Sequence, residues 1–167
     1  MKKLILLSLL LLAAIFISKN ANAQVYSDFT LPDLDNNDAT LSKYLEKGPV
    51  MVSFWATWCG PCKEELKRMQ PIFEQYKDKG FTYLAVSCDN QKSISKVKSY
   101  ITSNNYSFPV VLDFEKKVFE AYGGREDDMP YFVIISKDKQ ILYSHLGFKT
   151  GDEKEIEEKI KSALNLQ

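Results

Sequence analysis

Apolar residues in this chain fall into short runs and helical stripes that alternate over most of its length. Val50-Met51-Val52-Ser53-Phe54-Trp55 is a run broken by one polar position, the pattern of a buried strand. From Lys63 to Tyr76, Leu66, Met69, Phe73 and Tyr76 recur on one face, which predicts a helix over roughly 61–77 that Pro71 should kink. Gly80 stops it, and residues 81–87 (Phe-Thr-Tyr-Leu-Ala-Val-Ser) read as the next strand. Ile94, Val97 and Ile101 mark a helix over roughly 91–103, Phe108 to Leu112 a short strand, and Val118, Phe119 and Tyr122 a short helix ended by Gly123-Gly124. Tyr131 to Ser136 and Gln140 to Leu146 flank a Lys137-Asp138-Lys139 turn as an antiparallel hairpin. Ile156, Ile160 and Leu164 line a last helix. Upstream, residues 25–47 read as an extension: Phe29 to Leu31 a short strand, Pro32 to Asp38 a turn-rich loop, Leu41 to Leu45 a brief helix. Strands and helices that alternate early and close on a hairpin predict an α/β sandwich with a mixed sheet.

The first 23 residues belong to a different pattern. Lys2 and Lys3 form a basic start, Leu4 to Ile17 an apolar core of 14 residues, and Ala21-Asn22-Ala23 an A-x-A cleavage site. That core is shorter than the roughly 20 apolar residues a membrane span needs, so residues 1–23 read as a secretory signal peptide; an uncleaved anchor is the other reading. With no cysteine near the cleavage site, a lipid-modified N-terminal cysteine is excluded. Residues 24–167 then form one domain of 144 residues, enough for a proper core, with a formal charge of −3. So small a charge predicts neither a nucleic-acid surface nor a strongly membrane-seeking one.

Three cysteines are too few for a disulfide scaffold, and their spacing is uneven. Cys59 and Cys62 form a C-x-x-C where the strand run meets the helical stripe, which places Cys59 at a helix N-terminus. Free backbone N–H groups and the helix dipole there favour a thiolate, the species that attacks disulfides. The alternatives are an inert disulfide or a zinc half-site; the latter would need two further ligands, and only Cys88 and His145 remain, without a second paired spacing. Cys88, at a strand end before Asp89, reads as a buried inert thiol, and the lone His145 as a non-catalytic residue of the hairpin. Glu65, three residues after Cys62, shares its helical face, and burial there would raise its pKa toward neutrality; a solvated helix carboxylate is the plainer alternative. Glu64 reads as a surface partner of Arg68.

Phe54-Trp55-Ala56-Thr57-Trp58-Cys59-Gly60-Pro61-Cys62-Lys63, followed downstream by a hairpin introduced by Met129-Pro130, closely resembles the active-site segment of the thioredoxin superfamily. The leader, the extension and an insertion over 88–124 narrow the resemblance to exported TlpA/ResA-type thiol–disulfide oxidoreductases. Residues 108–113 (Phe-Pro-Val-Val-Leu-Asp), Ala121-Tyr122-Gly123 and 131–135 (Tyr-Phe-Val-Ile-Ile) look like that family's landmarks. The resemblance implies a three-layer thioredoxin-like sandwich in which the insertion adds a helix and a strand. It also implies a Cys59-Cys62 disulfide, with Cys59 as the attacking and Cys62 as the resolving cysteine. Pro130 carries over as a cis-proline facing the dithiol, which would let the Met129 backbone pair with an extended substrate segment. Where family members often have Thr after this proline, Tyr131 stands here and implies a differently shaped groove. Thioredoxins carry a buried Asp six residues before the first cysteine; Ser53 stands there, and the exported subfamily's proton-handling Glu falls on Glu65. Trp58, Gly60 and Pro61 complete the expected substrate surface, with Trp58 part of an apolar docking face.

An uncharged Gly60-Pro61 dipeptide leaves the thiolate without the extra cation of a strong oxidant, so the pair leans toward reduction. A periplasmic or other extracytoplasmic reductant needs electrons delivered across the membrane, and the resemblance implies a membrane thiol donor and oxidised client proteins as acceptors, with apocytochrome c as the best-known client type. The expectation is a monomer without cofactor or metal. Alternatives are a dithiol oxidase or isomerase of the same fold, and a copper-binding chaperone, which wants a wider cysteine spacing and a placed histidine. A peroxidase is weaker, since a peroxidatic cysteine normally lacks the W-C-G-P-C context.

Overall fold

A computed structural model describes residues 26–125 and 128–166 of the chain. The expected signal peptide, residues 1–23, lies outside the described residues. Five strands form the main sheet: β3 (Val50–Trp55), β4 (Thr82–Ser87), β5 (Val110–Leu112), β6 (Tyr131–Ile135) and β7 (Ile141–Leu146). Their order across the sheet is β5-β4-β3-β6-β7. β3 and β4 pair in parallel from Val50↔Thr82 to Trp55↔Ser87, and β4 pairs in parallel with β5. β6 runs antiparallel to β3, from Val50↔Ile135 to Phe54↔Tyr131, and β7 antiparallel to β6. The sheet is mixed, as the element order predicts.

β3 and β4 are buried at every position, so both faces of the sheet must be covered. Side chains alternate between those faces. Met51, Trp55, Tyr83, Ala85, Phe132 and Ile134 share a core with helices α2 (Gly60–Tyr76), α3 (Ile94–Ser103) and α5 (Asp152–Ala163), through Leu66, Met69, Val97, Ile101, Ile156 and Ile160. Val50, Val52, Phe54, Leu84, Val86, Val133 and Ile135 pack on the other face against α1 (Leu41–Leu45) and α4 (Lys117–Ala121), through Leu41, Leu45 and Phe119. This is the expected three-layer sandwich. Phe54 anchors the second layer, with its ring 5.3 Å from Phe119, 5.8 Å from Tyr122 and 6.2 Å from Tyr131.

Several boundaries differ from the expectation. The Pro32–Asp38 loop is shorter, because Asp38–Thr40 forms a second strand, β2, antiparallel to β1 (Thr30–Pro32). Three residues, Asp-Ala-Thr, carry no apolar alternation to announce it. Asp33 closes the turn by accepting the Asp35 and Asn37 N–H groups at 2.8 and 2.9 Å, and bridges to Val111, so the hairpin is seated at the β5 edge. β5 begins at Val110 rather than Phe108, while α2 keeps Pro71 in its interior as the sequence predicts.

At the sheet end opposite the cysteines, the turn after α2 crosses the turn before β3. Gly80 sits at φ +97°, and a Cβ there would lie 2.7 Å from the Lys47 carbonyl oxygen. Gly80→Ala is therefore expected to lower the unfolding free energy by at least about 1–2 kcal/mol from the left-handed backbone alone. Urea unfolding measures this, and an unchanged midpoint would show that the crossing relaxes freely.

Candidate active site

β3 leads directly into the loop Ala56-Thr57-Trp58 and then to Cys59, the N-cap of α2. The loop is clamped from the neighbouring parallel strand. Asp89, 4% exposed just past β4, accepts the Thr57 backbone N–H at 2.8 Å and the Thr57 hydroxyl at 2.6 Å. Ser87 Oγ donates to the same carboxylate at 3.1 Å, and the Cys88 N–H reaches the Trp55 carbonyl at 2.8 Å. The segment that presents the first cysteine thus hangs from two adjacent strands.

Cys59 and Cys62 are joined in a disulfide, with Cα atoms 5.3 Å apart. Cys59 Sγ also accepts the Cys62 N–H at 3.1 Å, which satisfies one of the free donors of the helix start. Pro61 sits in the first turn, where its missing N–H costs nothing. Cys59 retains 5% exposure and Cys62 none. A Cβ built on Gly60 meets nothing within 4 Å, so the surface beside the disulfide is open. Trp58 stands beside it at 64% exposure, the most exposed large apolar side chain among the described residues. Met129-Pro130 is a cis peptide at the start of β6, and Met129 packs against the core cluster that holds both cysteines. The Phe54↔Tyr131 pairing brings this loop to the same end of the sheet.

Glu65 is a buried carboxylate, not a solvated one, at 1% exposure. Its Oε1 accepts hydrogen bonds from Ser53 Oγ at 2.5 Å and Tyr83 OH at 2.8 Å, while Oε2 has no partner. Burial raises its pKa from the ordinary 4.5 to about 7, against the pull of those two donors. Glu64 faces outward and takes the Arg68 guanidinium at 2.7 Å. Cys88 is free and buried, and desolvation pushes its thiol pKa up strongly, with nearby Asp113 adding to it. His145 is stacked 5.4 Å from Phe132 in the hairpin, with Nδ1 3.2 Å from the Tyr143 hydroxyl. Among the described residues no group of three or more His, Cys, Asp or Glu side chains is placed to hold a metal ion, and no helix is long and apolar enough to cross a membrane.

Residues 23–144 match the AhpC/TSA family. The chain belongs to that family. It is 30% identical over 128 residues to a thiol–disulfide oxidoreductase ResA of Bacillus thuringiensis, covering 77% of this chain and 71% of that one. It is 33% identical over 126 residues to the ResA of Geobacillus kaustophilus, covering 75% and 70%. Among solved structures, a candidate thiol:disulfide interchange protein DsbE from Chlorobium tepidum superposes with a TM-score of 0.77 at 28% identity, over 86% of this chain and 98% of that one. This AhpC/TSA-family protein is a thiol–disulfide oxidoreductase with a thioredoxin-like fold, and its C-x-x-C pair fits dithiol–disulfide exchange.

Three residues around the pair went unread in the sequence. Ser53 was visible as a departure from the thioredoxin pattern but not as a donor to Glu65, and Tyr83 only as a strand aromatic. Asp89 was visible only as the neighbour of Cys88, with no local signal for its contact with Thr57, 32 positions away.

The folded-state pKa of Glu65, about 7, lies above its ordinary 4.5, so the folded protein holds this proton more tightly. Its stabilising contribution is complete below pH 4.5 and is lost as pH rises through 7, a swing of about 3 kcal/mol. Urea unfolding of the oxidised protein at pH 5 and pH 8 should show this decline in wild type relative to Glu65→Gln. Parallel curves for the two proteins would rule it out.

Proposed function

We propose that this protein is an extracytoplasmic reductant of client-protein disulfides, with Cys59 as attacking nucleophile, Cys62 as resolving thiol and Glu65 as proton acceptor. The observation that carries the reading is the asymmetry of the pair: Cys59 caps the helix beside an open surface, and Cys62 is sealed inside the same helix, three residues before the buried Glu65. The Cys59 thiolate attacks one sulfur of the client disulfide, and the other client sulfur leaves as a thiolate. Cys62 gives its proton to Glu65 and attacks Cys59 Sγ. The first client sulfur then leaves, the client has gained two electrons, and the Cys59–Cys62 disulfide is restored. Trp58, Gly60 and Pro61 form the surface the client meets, with the Met129-Pro130 backbone beside it.

The direction of exchange and the location rest on separate supports. Gly60-Pro61 carries no charge, so the Cys59 thiolate is stabilised by the helix dipole and the Cys62 N–H without a cation in the dipeptide. The leader pattern of residues 1–23 supports export, and a membrane thiol donor would then return electrons to the pair. Oxidised apocytochrome c, with its C-x-x-C-H, is the client class that suits this reading; the relatives, named thiol–disulfide oxidoreductases, support the exchange chemistry itself. A reduction potential below about −200 mV fits a reductant, whereas a value near −120 mV would make the protein an oxidase.

Cys59→Ser should abolish reduction of an oxidised C-x-x-C-H peptide, and Cys62→Ser should accumulate a mixed disulfide with it on non-reducing gels. Failure of the Cys62 variant to form any adduct would overturn the exchange order. Glu65→Gln should remove the pH step near 7 from the Cys62-dependent stage of the reaction. A profile identical to wild type would take Glu65 out of the mechanism.

A further inference from the structure

The Glu65 carboxylate is held asymmetrically. Both of its hydrogen bonds fall on Oε1, one from each of the two central parallel strands, and Oε2 accepts none. Ser53 on β3 and Tyr83 on β4 reach it because odd positions of both strands face α2, in a register that pairs Met51 with Tyr83 and Ser53 with Ala85. The Tyr83 ring is fully buried and lies edge-on to Phe108, 4.8 Å between centroids. Phe108 in turn stacks on Tyr106 at 5.1 Å. Both belong to the inserted stretch 88–124, so the insertion buttresses the phenol that holds the carboxylate.

We propose that Tyr83 is a positioning residue for proton transfer: its phenol pins Glu65 Oε1 and so leaves Oε2 as the oxygen that takes and returns the Cys62 proton. A neutral carboxylic acid has one carbonyl and one hydroxyl oxygen. An oxygen already accepting two hydroxyl protons serves as the carbonyl, which assigns the hydroxyl to Oε2. Tyr83 is suited to this task because burial and the adjacent Glu65 keep its phenol protonated, a permanent donor. The groups that act on Glu65 are few: the Ser53 hydroxyl on β3, which does not titrate, and the Tyr83 phenol on β4, with Tyr106 behind Phe108 acting in turn on Tyr83. The rest of the enclosing core is apolar, with Phe132 and Ile134 from β6 and Ile156 and Ile160 from α5.

The proposal rests on Glu65 being the proton acceptor, and its test separates the two ideas. The experiment follows the second thionitrobenzoate released when the reduced protein reacts with DTNB, the Cys62-dependent stage, against pH by stopped flow. Tyr83→Phe removes only the hydroxyl. It should move the midpoint of the pH step upward by about one unit, as expected for losing one hydrogen bond to a charged group. In a Glu65→Gln background the step should be absent, and adding Tyr83→Phe should change nothing. An unmoved midpoint in Tyr83→Phe, or an equal rate loss in both backgrounds, would refute the assignment to Tyr83 while leaving Glu65 in place. A wild-type step persisting in Glu65→Gln would instead remove Glu65, and Tyr83 with it. Infrared spectroscopy of the oxidised protein at pH 5 gives a second readout, independent of rates. The carboxylic C=O band lost in Glu65→Gln should shift to higher wavenumber in Tyr83→Phe, and an unshifted band contradicts the hydrogen bond.

Discussion

Strand β3 has no face turned to water, and that constraint organises the rest of the molecule. Its six residues are buried throughout, so Val50, Val52 and Phe54 need one helical layer and Met51 and Trp55 another. The one polar side chain on the strand, Ser53, lies inside the α2 layer and must find a partner there, since an unpaired buried hydroxyl is costly. Glu65 supplies the acceptor, and the buried pair that results places a titratable group in the core behind the cysteines. The two strands flanking β3 complete the site. Parallel β4 brings Tyr83 and Asp89 to it, and antiparallel β6 brings Met129-Pro130.

Burial and hydrogen bonding act on Glu65 in opposite directions, and the proposed proton transfer depends on their balance. Desolvation raises the carboxyl pKa, and the two hydroxyl donors lower it. Together they leave it poised at about 7, where a general acid or base is most useful. The two cysteines share one helix start yet differ in access, because the first is the cap and the second lies one turn inside. The proposed exchange with a protein client would use this arrangement: an approachable sulfur, an open floor at Gly60, and an inner thiol that meets only the first.

Much of this was legible in local pattern. The polar break at Ser53, the C-x-x-C at a strand-to-helix junction and the Met129-Pro130 before a hairpin each announce a feature within about ten residues. Short elements were less legible. β2 has only Asp38, Ala39 and Thr40, and it exists because β1 lies opposite and Asp33 shapes the turn between them. Phe108 reads as strand from its apolar neighbours, but Pro109 follows it, and its ring packs beneath Tyr83 ahead of the strand proper.

The sequence by itself determined the redox pair, its place at a helix start, and the alternation of elements that builds a mixed sheet. These follow from spacing and periodicity, which are properties of neighbouring residues. Tertiary structure decided which hydroxyls hold Glu65, that its second oxygen goes unpartnered, and that Asp89 clamps the cysteine loop. β3 and β4 are buried on both faces, with large apolar residues at both parities, so their sequences do not reveal which parity points toward α2. Only the register of the parallel pair, set when the helices close over both faces, brings Ser53, Tyr83 and Glu65 to one point.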